Sequence, residues 1–338
     1  MKQPIIYLQT GFWENLSANH SRDGVKTKLN ISDSMAYSCV ITDATEEMVI
    51  KDVYLKTIIK QKSYKRCDEH YIEKKIANLE TSEDLCATFL MGKSSVECQN
   101  IECKFGVLVL NDRTAIEKQY FFEGDGFSFE KNVRYSERYL TYKDKLSHPC
   151  NSLIVIDPYI LNGKREVITD ESGKKIISYP DIKNNLEPLL DAILPKSLNI
   201  DFHLTIISRT AEIDELKLVY EKVKKCLKRI RNDLNVRLGL FYTDQGFIDN
   251  KETFHSRHII SNNFIIDSED GFNLFNKYGY VNRNNPSITI VFPNLFGNSR
   301  QDMSKYSNWI SSVKKYIEED VGNRCEGSKD NRLFYLTD

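Results

Sequence analysis

The residues best placed to do chemistry lie together in Phe254–Phe275, FHSRHIISNNFIIDSEDGFNLF. His255 and Arg257 stand two apart. In a strand that spacing points both side chains to one face, so an imidazole and a guanidinium sit side by side. Such a pair can hold a phosphate or a carboxylate. The guanidinium offers a planar fork of donors, and the imidazole donates or takes a proton near neutral pH. Asn262 follows Arg257 by five, and the apolar run Phe264-Ile265-Ile266 leads into a turn at Ser268-Glu269-Asp270-Gly271. His258 would face the other way, into the core or the surface.

The spacing resembles the phospholipase D superfamily, whose active pattern is His-x-Lys-x4-Asp. His255 takes the His place, Arg257 the Lys place and Asn262 the Asp place. With the apolar strand and Gly271-Phe272-Asn273-Leu274-Phe275 behind it, the stretch looks like the degenerate phospholipase-D-like domain at the C-terminus of certain MIT-domain proteins, which serves binding. The resemblance covers residues 150–295 only. It implies an α/β sheet in which this strand is central and the reactive residues sit at the sheet's C-terminal edge. In active members one His attacks phosphorus, a second protonates the leaving group, and the lysines hold the non-bridging oxygens. This chain has one such motif, so a full site would need a homodimer that brings two copies of His255 together.

Three readings stay open for these residues. In the catalytic one His255, Arg257 and Asn262 act as the site. In the binding one His255, Arg257 and Ser268 hold a phosphate without chemistry. In the structural one His255 and Arg257 bond to backbone carbonyls and to an acid such as Asp157 or Asp267. Against hydrolysis stand the Arg and Asn replacements, the single copy, and Glu269-Asp270, whose charge would repel a phosphodiester. Asp157 ends a strand, where carboxylates often border a ligand crevice. It could orient His255 or hold Arg257, or simply form an Asp-Pro turn with Pro158.

The surrounding elements set the frame. After His148-Pro149 the texture becomes regular strand–helix alternation, so the chain divides into residues 1–148 and 149–338. The second part has strands at Ser152–Ile156, Asp201–Ser208, Val236–Tyr242 and Ser287–Phe292. Helices fall at Asp181–Leu194, Glu212–Leu234 and Arg300–Glu319. This order implies parallel crossovers and helices packed on a sheet. The expected fold class is α/β, a phospholipase-D-like C-terminal domain preceded by an α+β N-terminal domain of unknown role. In that first half Ile5–Leu8, Ala36–Ile41, Glu46–Ile59, Phe105–Leu110 and Lys118–Phe122 read as strands. Residues 21–36 read as loop, and Lys60–Leu79 and a stretch from Thr81 to Met91 as helices. Tyr135, Tyr139 and Tyr142 recur four and three apart, which suits a packed stripe better than a base-stacking face.

Composition sets outer limits. The chain has 338 residues, 41% hydrophobic and 28% charged, with a net charge of −1. Nothing global points to a polyanion, so any nucleic-acid or lipid contact must use a local patch. One such patch is the helix after residue 212, with Lys217, Lys222, Lys224, Lys225, Lys228, Arg229 and Arg231; its alternative is an ordinary solvated face. No run of about 18 apolar residues predicts a membrane span. The N-terminus lacks a secretory pattern. The eight cysteines show no metal-ligand spacing and read as reduced thiols. A P-loop, a Gly-rich nucleotide loop and a Gly-x-Ser-x-Gly elbow are all missing from the sequence. No metal and no cofactor is expected. Together these readings point to a cytoplasmic, prokaryotic-flavoured protein that binds phosphate-bearing partners, nucleic acid ahead of anionic lipid, in a defence or mobile-element setting, as a homodimer or in a protein complex. The alternatives are a dimeric metal-independent nuclease or phosphodiesterase and a non-catalytic interaction scaffold.

Overall fold

A computed structural model describes residues 5–19, 21–34, 38–42, 44–61, 63–68, 70–81, 83–161, 166–169, 175–209, 213–243, 257–295, 299–319 and 324–336. The first half alternates strand and helix: β1 (Ile5–Gln9), α1 (Thr10–Asn19), α2 (Ser21–Ser34), β2 (Ser38–Thr42), α3 (Glu46–Lys51), α4 (Val53–Gln61), β3 (Ser63–Cys67), α5 (Tyr71–Ala77), β4 (Thr88–Leu90), α6 (Ser95–Phe105), β5 (Leu108–Leu110), α7 (Asp112–Glu117) and α8 (Tyr120–Glu123). Its five strands form one sheet in the order β3-β2-β1-β4-β5, and every pairing is parallel. This half is therefore α/β, not α+β. Parallel neighbours need crossover connections, and helices supply them.

Several local expectations change with it. Glu46–Ile59 is helical: Thr45 caps α3 by accepting the Met48 N–H, and the Asp52 carboxylate accepts the Tyr54 and Leu55 N–H groups at the start of α4. The β-branched Ile50 and Val53 that suggested a strand lie on the surface. Residues 21–34 are helix rather than loop. The polar signal misled because the inward face itself is polar: Lys28 is buried, paired with Asp52 at 2.7 Å and set over the Trp13 ring. Lys118–Phe122 enters α8 rather than a strand. Thr81–Met91 holds a short 3-10 turn and then β4, not one helix.

The second half holds β6 (Asp125–Ser128), α9 (Lys143–Leu146), β7 (Ser152–Ile156), β8 (Glu166–Thr169), β9 (Lys175–Ser178), α10 (Glu187–Ile193), β10 (Phe202–Ser208), α11 (Leu216–Ile230), β11 (Val236–Tyr242), β12 (Arg257–Ser261), β13 (Ile265–Ser268), β14 (Ser287–Val291), α12 (Ser299–Glu319) and β15 (Cys325–Gly327). Eight strands make one sheet, β15-β11-β10-β7-β12-β13-β14-β6, and β8-β9 is a separate hairpin. β7, β10 and β11 are parallel, joined through α10 and α11. From β12 to β6 the pairing is antiparallel. β6 precedes His148-Pro149 in sequence, yet it pairs with β14 in this second sheet.

Residues alternate between two buried faces along the central strands. Leu153 and Val155 of β7 join the core that includes Leu189, Leu190, Val219 and Val223 of α10 and α11. Ile154 and Ile156 join Trp309, Ile310, Val313 and Ile317 of α12. A strand covered on both faces reads as a continuous apolar run, as SLIVI does. The tyrosine stripe is packed inward: Tyr139 is buried and donates to the Phe272 carbonyl, and Tyr142 stacks on Phe127.

Candidate phosphate edge at the head of β12

β7, β10 and β11 all point one way, so Ser208, the last residue of β10, and Asp157 and Thr243, which follow β7 and β11, share one sheet edge. β12 runs the opposite way, so its first residue, Arg257, begins at that same edge. β12 lies between β7 and β13, in the middle of the sheet. Arg257 pairs with Ser268 across β12–β13, and His258 pairs with Ile156 across β12–β7. One step on from the His258–Ile156 pair, Arg257 and Asp157 are neighbours. Both border Gly271: a Cβ built there would lie 3.0 Å from Asp157 Oδ2 and 3.4 Å from Arg257 Cγ. Gly271 also has φ +82°, a left-handed conformation that glycine adopts without strain. The turn after β13 thus needs a glycine to close over the edge.

Asp157 is fully buried. Its carboxylate accepts the Tyr159 N–H at 2.7 Å and the Phe272 N–H at 2.6 Å. Burial pushes its carboxyl above the usual carboxylate range, against these two donors and the nearby Arg257 charge, which favour the ionised form. Asp157 therefore ties the β7 turn to the Gly271 turn. Ser268 is buried, and its hydroxyl donates to the Gly271 carbonyl at 2.8 Å. That hydroxyl closes the turn and is not offered to a ligand.

Arg257 is half-buried. One amino group donates to the Glu269 carbonyl at 2.7 Å. The guanidinium carbon lies 5.5 Å from the centre of the Tyr159 ring. Its Nε is buried and has no hydrogen-bond partner. A guanidinium carries five N–H donors, so most of this one's capacity is unspent. His255 lies outside the described residues, two positions before Arg257.

Asn262 sits at the other end of β12, about 17 Å from Arg257 at roughly 3.3 Å per residue. Its amide donates to the Leu85 carbonyl at 3.0 Å and the Gly106 carbonyl at 2.9 Å. Its oxygen accepts the Asn151 N–H at 2.9 Å. Asn151 and Asn263 join it: Asn151 donates to Leu85 and Phe105 carbonyls, and Asn263 to those of Gly106 and Pro149. Gly106 ends α6 with φ +62°, and a Cβ there would meet the Cys150 carbonyl oxygen at 2.3 Å. Three asparagines flanking β7 and β12 thus clasp the end of a helix from the first half. The fold brings Asp157, Arg257 and Ser268 together and keeps Asn262 apart from them.

His258 does face away from Arg257. It is buried, its Nδ1 is hydrogen-bonded to Asp267, and its ring stacks on Trp309 with centroids 3.8 Å apart. Its Nε2 is buried without a partner. Asp267 therefore serves His258. Sequence spacing does not mark Tyr159, Asn151 or Asn263. Tyr159 had one weak signal, an aromatic two residues beyond a strand-ending acid.

Neither a protein-family model nor a curated protein matches the chain. Among the described residues, no helix is long and apolar enough to cross a membrane.

Proposed function

We propose that the second half of the chain is a degenerate phospholipase-D-like domain that binds a phosphate-bearing partner, nucleic acid ahead of anionic lipid, at the edge headed by Arg257. One observation carries this reading: the Arg257 guanidinium is held, half-buried, at a central sheet edge with only one of its amino groups bonded, to the Glu269 carbonyl. A guanidinium carries five N–H donors and one is spent on the Glu269 carbonyl, so its remaining amino donors are left for a phosphate oxygen. Tyr159 limits the swing of the guanidinium, so less rotamer freedom is lost when a ligand binds.

The same geometry favours binding over hydrolysis. Ser268 and Asn262 are committed to backbone partners, and Asp157 is occupied by two N–H groups. The intracellular, defence-related setting belongs to this proposal and rests on composition alone.

The test incubates wild type, Arg257→Ala, Arg257→Lys and His255→Ala with labelled single- and double-stranded nucleic acid in EDTA, and with anionic vesicles in parallel. Binding and cleavage are scored together. Salt-sensitive nucleic-acid binding, weakened about tenfold or more in Arg257→Ala and without cleavage, is the expected result. Cleavage lost in His255→Ala would instead establish the dimeric nuclease. Binding unchanged in Arg257→Ala would overturn the proposal.

A further inference from the structure

The basic helix singled out in the sequence divides once its packing is known. Arg231 is spent inward, on Asp191 and on the Leu194 and Pro195 carbonyls. Lys217, Lys224 and Lys228 stand exposed on α11. Lys222, Lys225 and Arg229 differ. Spaced three and four apart, they form one stripe of the helix and line a cleft of about 240 Å³. The opposite wall carries Lys183, from the π-turn Ile182–Leu186, and Glu187, the first residue of α10. The end of the β8–β9 hairpin closes the third side, where Lys222 Nζ donates to the Ile177 carbonyl at 3.1 Å.

We infer that this cleft is a second anion site, built for the phosphate or diphosphate group of a small phosphorylated ligand. Among the described residues four cations line it and one carboxylate does. That carboxylate is already engaged: Glu187 accepts from both Nε and an amino group of Arg229. The bidentate pair fixes the guanidinium plane and leaves Lys183, Lys222 and Lys225 with no acid among the cleft's described residues to neutralise them. Like charges gathered around a recess repel one another, and a multivalent anion relieves this. The volume lies below the ~300–1,000 Å³ typical of drug-sized ligand pockets, so the recess suits a charged group more than a whole base or acyl chain. Cys226, also in the lining, is buried, which pushes its thiol up to about 12, so it serves as an apolar surface and not as a nucleophile. The cleft shares no lining residue with the Arg257 edge and does not depend on nucleic-acid binding there.

Calorimetric titration with inorganic pyrophosphate tests it, with sodium sulfate at matched ionic strength as the control for general screening. Lys183 and Lys225 are both exposed, so Lys183→Ala/Lys225→Ala is expected to keep the fold, checked by its melt without ligand. Saturable pyrophosphate binding should weaken by about tenfold for each ammonium removed. Lys217→Ala/Lys228→Ala removes the same charge outside the cleft and should bind as wild type does. Equal weakening in both pairs, or a wild type that binds pyrophosphate no better than sulfate, overturns the inference. If the paired variant melts early, Lys225→Gln alone carries the comparison. Competition by a mononucleotide supports the site and identifies a nucleotide as the phosphate's source; no competition, with pyrophosphate still bound, supports it with a free diphosphate. Failure at the Arg257 edge leaves the pyrophosphate titration readable.

Discussion

The two ends of β12 have opposite fates. At its C-terminal end Asn262 makes three buried hydrogen bonds to backbone groups, two of them reaching residues of the first sheet's half. At its N-terminal end Arg257 makes one, to a carbonyl in an exposed turn, and keeps a buried N–H unpaired. Both stand in the single spacing His255-x-Arg257-x4-Asn262. Motif membership therefore does not indicate a shared site here: a strand of five residues separates the two groups by more than any side chain can span. One end joins two halves of the molecule, and the other holds donors in reserve.

The sharpest way to break this contrast is Asn262→Asp, which installs the residue type of the phospholipase D pattern. One carboxylate oxygen could still accept the Asn151 N–H. The other would face the Leu85 and Gly106 carbonyl oxygens, with no donor between them. An uncompensated buried charge of this kind costs about 3–5 kcal/mol. Urea unfolding at neutral pH should show a loss of that size. The deficit should narrow toward about pH 4, where the protonated acid regains one donor. An unchanged midpoint would mean that the asparagine clasp does not hold the halves together.

The same junction carries a pH signal. His148 is buried among aromatic rings, with centroids 4.8 Å from Phe292 and 5.6 Å from Phe264. Burial pushes its imidazole from 6.5 down to about 4, despite a bond to the Lys145 carbonyl. A lowered folded value means that the unfolded chain binds the proton first. The stabilisation is complete above 6.5 and is lost as pH falls toward 4. A shift of that size corresponds to about 3 kcal/mol. Burial lowers His203 to about 4 as well, so wild type should lose stability steeply over this range. His148→Phe should flatten part of that loss, measured as a smaller drop in melting temperature between pH 7 and pH 4.5. An identical slope would place the acid sensitivity elsewhere.

How legible this was depends on which force wrote the signal. The central strands and the long helices of the second half were readable because their apolar residues follow clean periods: SLIVI is buried on both faces, and α11 repeats at three and four, whereas β6, β8, β9 and β15 were not read. The first half was harder. Lys28 turns inward to Asp52, and Ile50 and Val53 turn outward, so hydrophobicity there does not track burial. Asp157, Arg257 and Ser268 fall at one edge because strand ends and turns have residue signatures, but Asn262, read together with Arg257, lies at the other end of β12. How each polar atom is spent was not legible. Ser268 and Asn262 meet backbone carbonyls that no spacing rule locates, one of them at Gly106, more than a hundred residues upstream.

At the Arg257 end the structural effects should be smaller. Ser268→Ala removes one hydroxyl bond, to Gly271 at 2.8 Å, and leaves that carbonyl unpaired. About 1 kcal/mol of stability should go, read from the urea midpoint. Because Gly271 borders Arg257, the same variant should loosen the turn that carries the Glu269 carbonyl. A loss of several kcal/mol would show that this edge is as load-sharing as the Asn262 end.

Arg257→Ala should cost least in stability and most in ligand. Its single bond goes to an exposed carbonyl that water can serve instead, and the variant also removes a buried N–H that nothing satisfies. The two effects oppose, so the unfolding midpoint should move by less than about 1 kcal/mol. Removing the Arg257 charge also takes away one of the influences that favour ionised Asp157. The Asp157 carboxyl should then rise further and hold its proton to higher pH, observable as a carboxyl carbon shift titrating later in the variant than in wild type. With raised values in both proteins, the folded state takes up the proton first, so Asp157's contribution weakens stability as pH rises through the window above the ordinary carboxylate value. If Arg257→Ala instead unfolds as readily as Asn262→Asp, the guanidinium is part of the scaffold, and the contrast between the two ends of β12 fails.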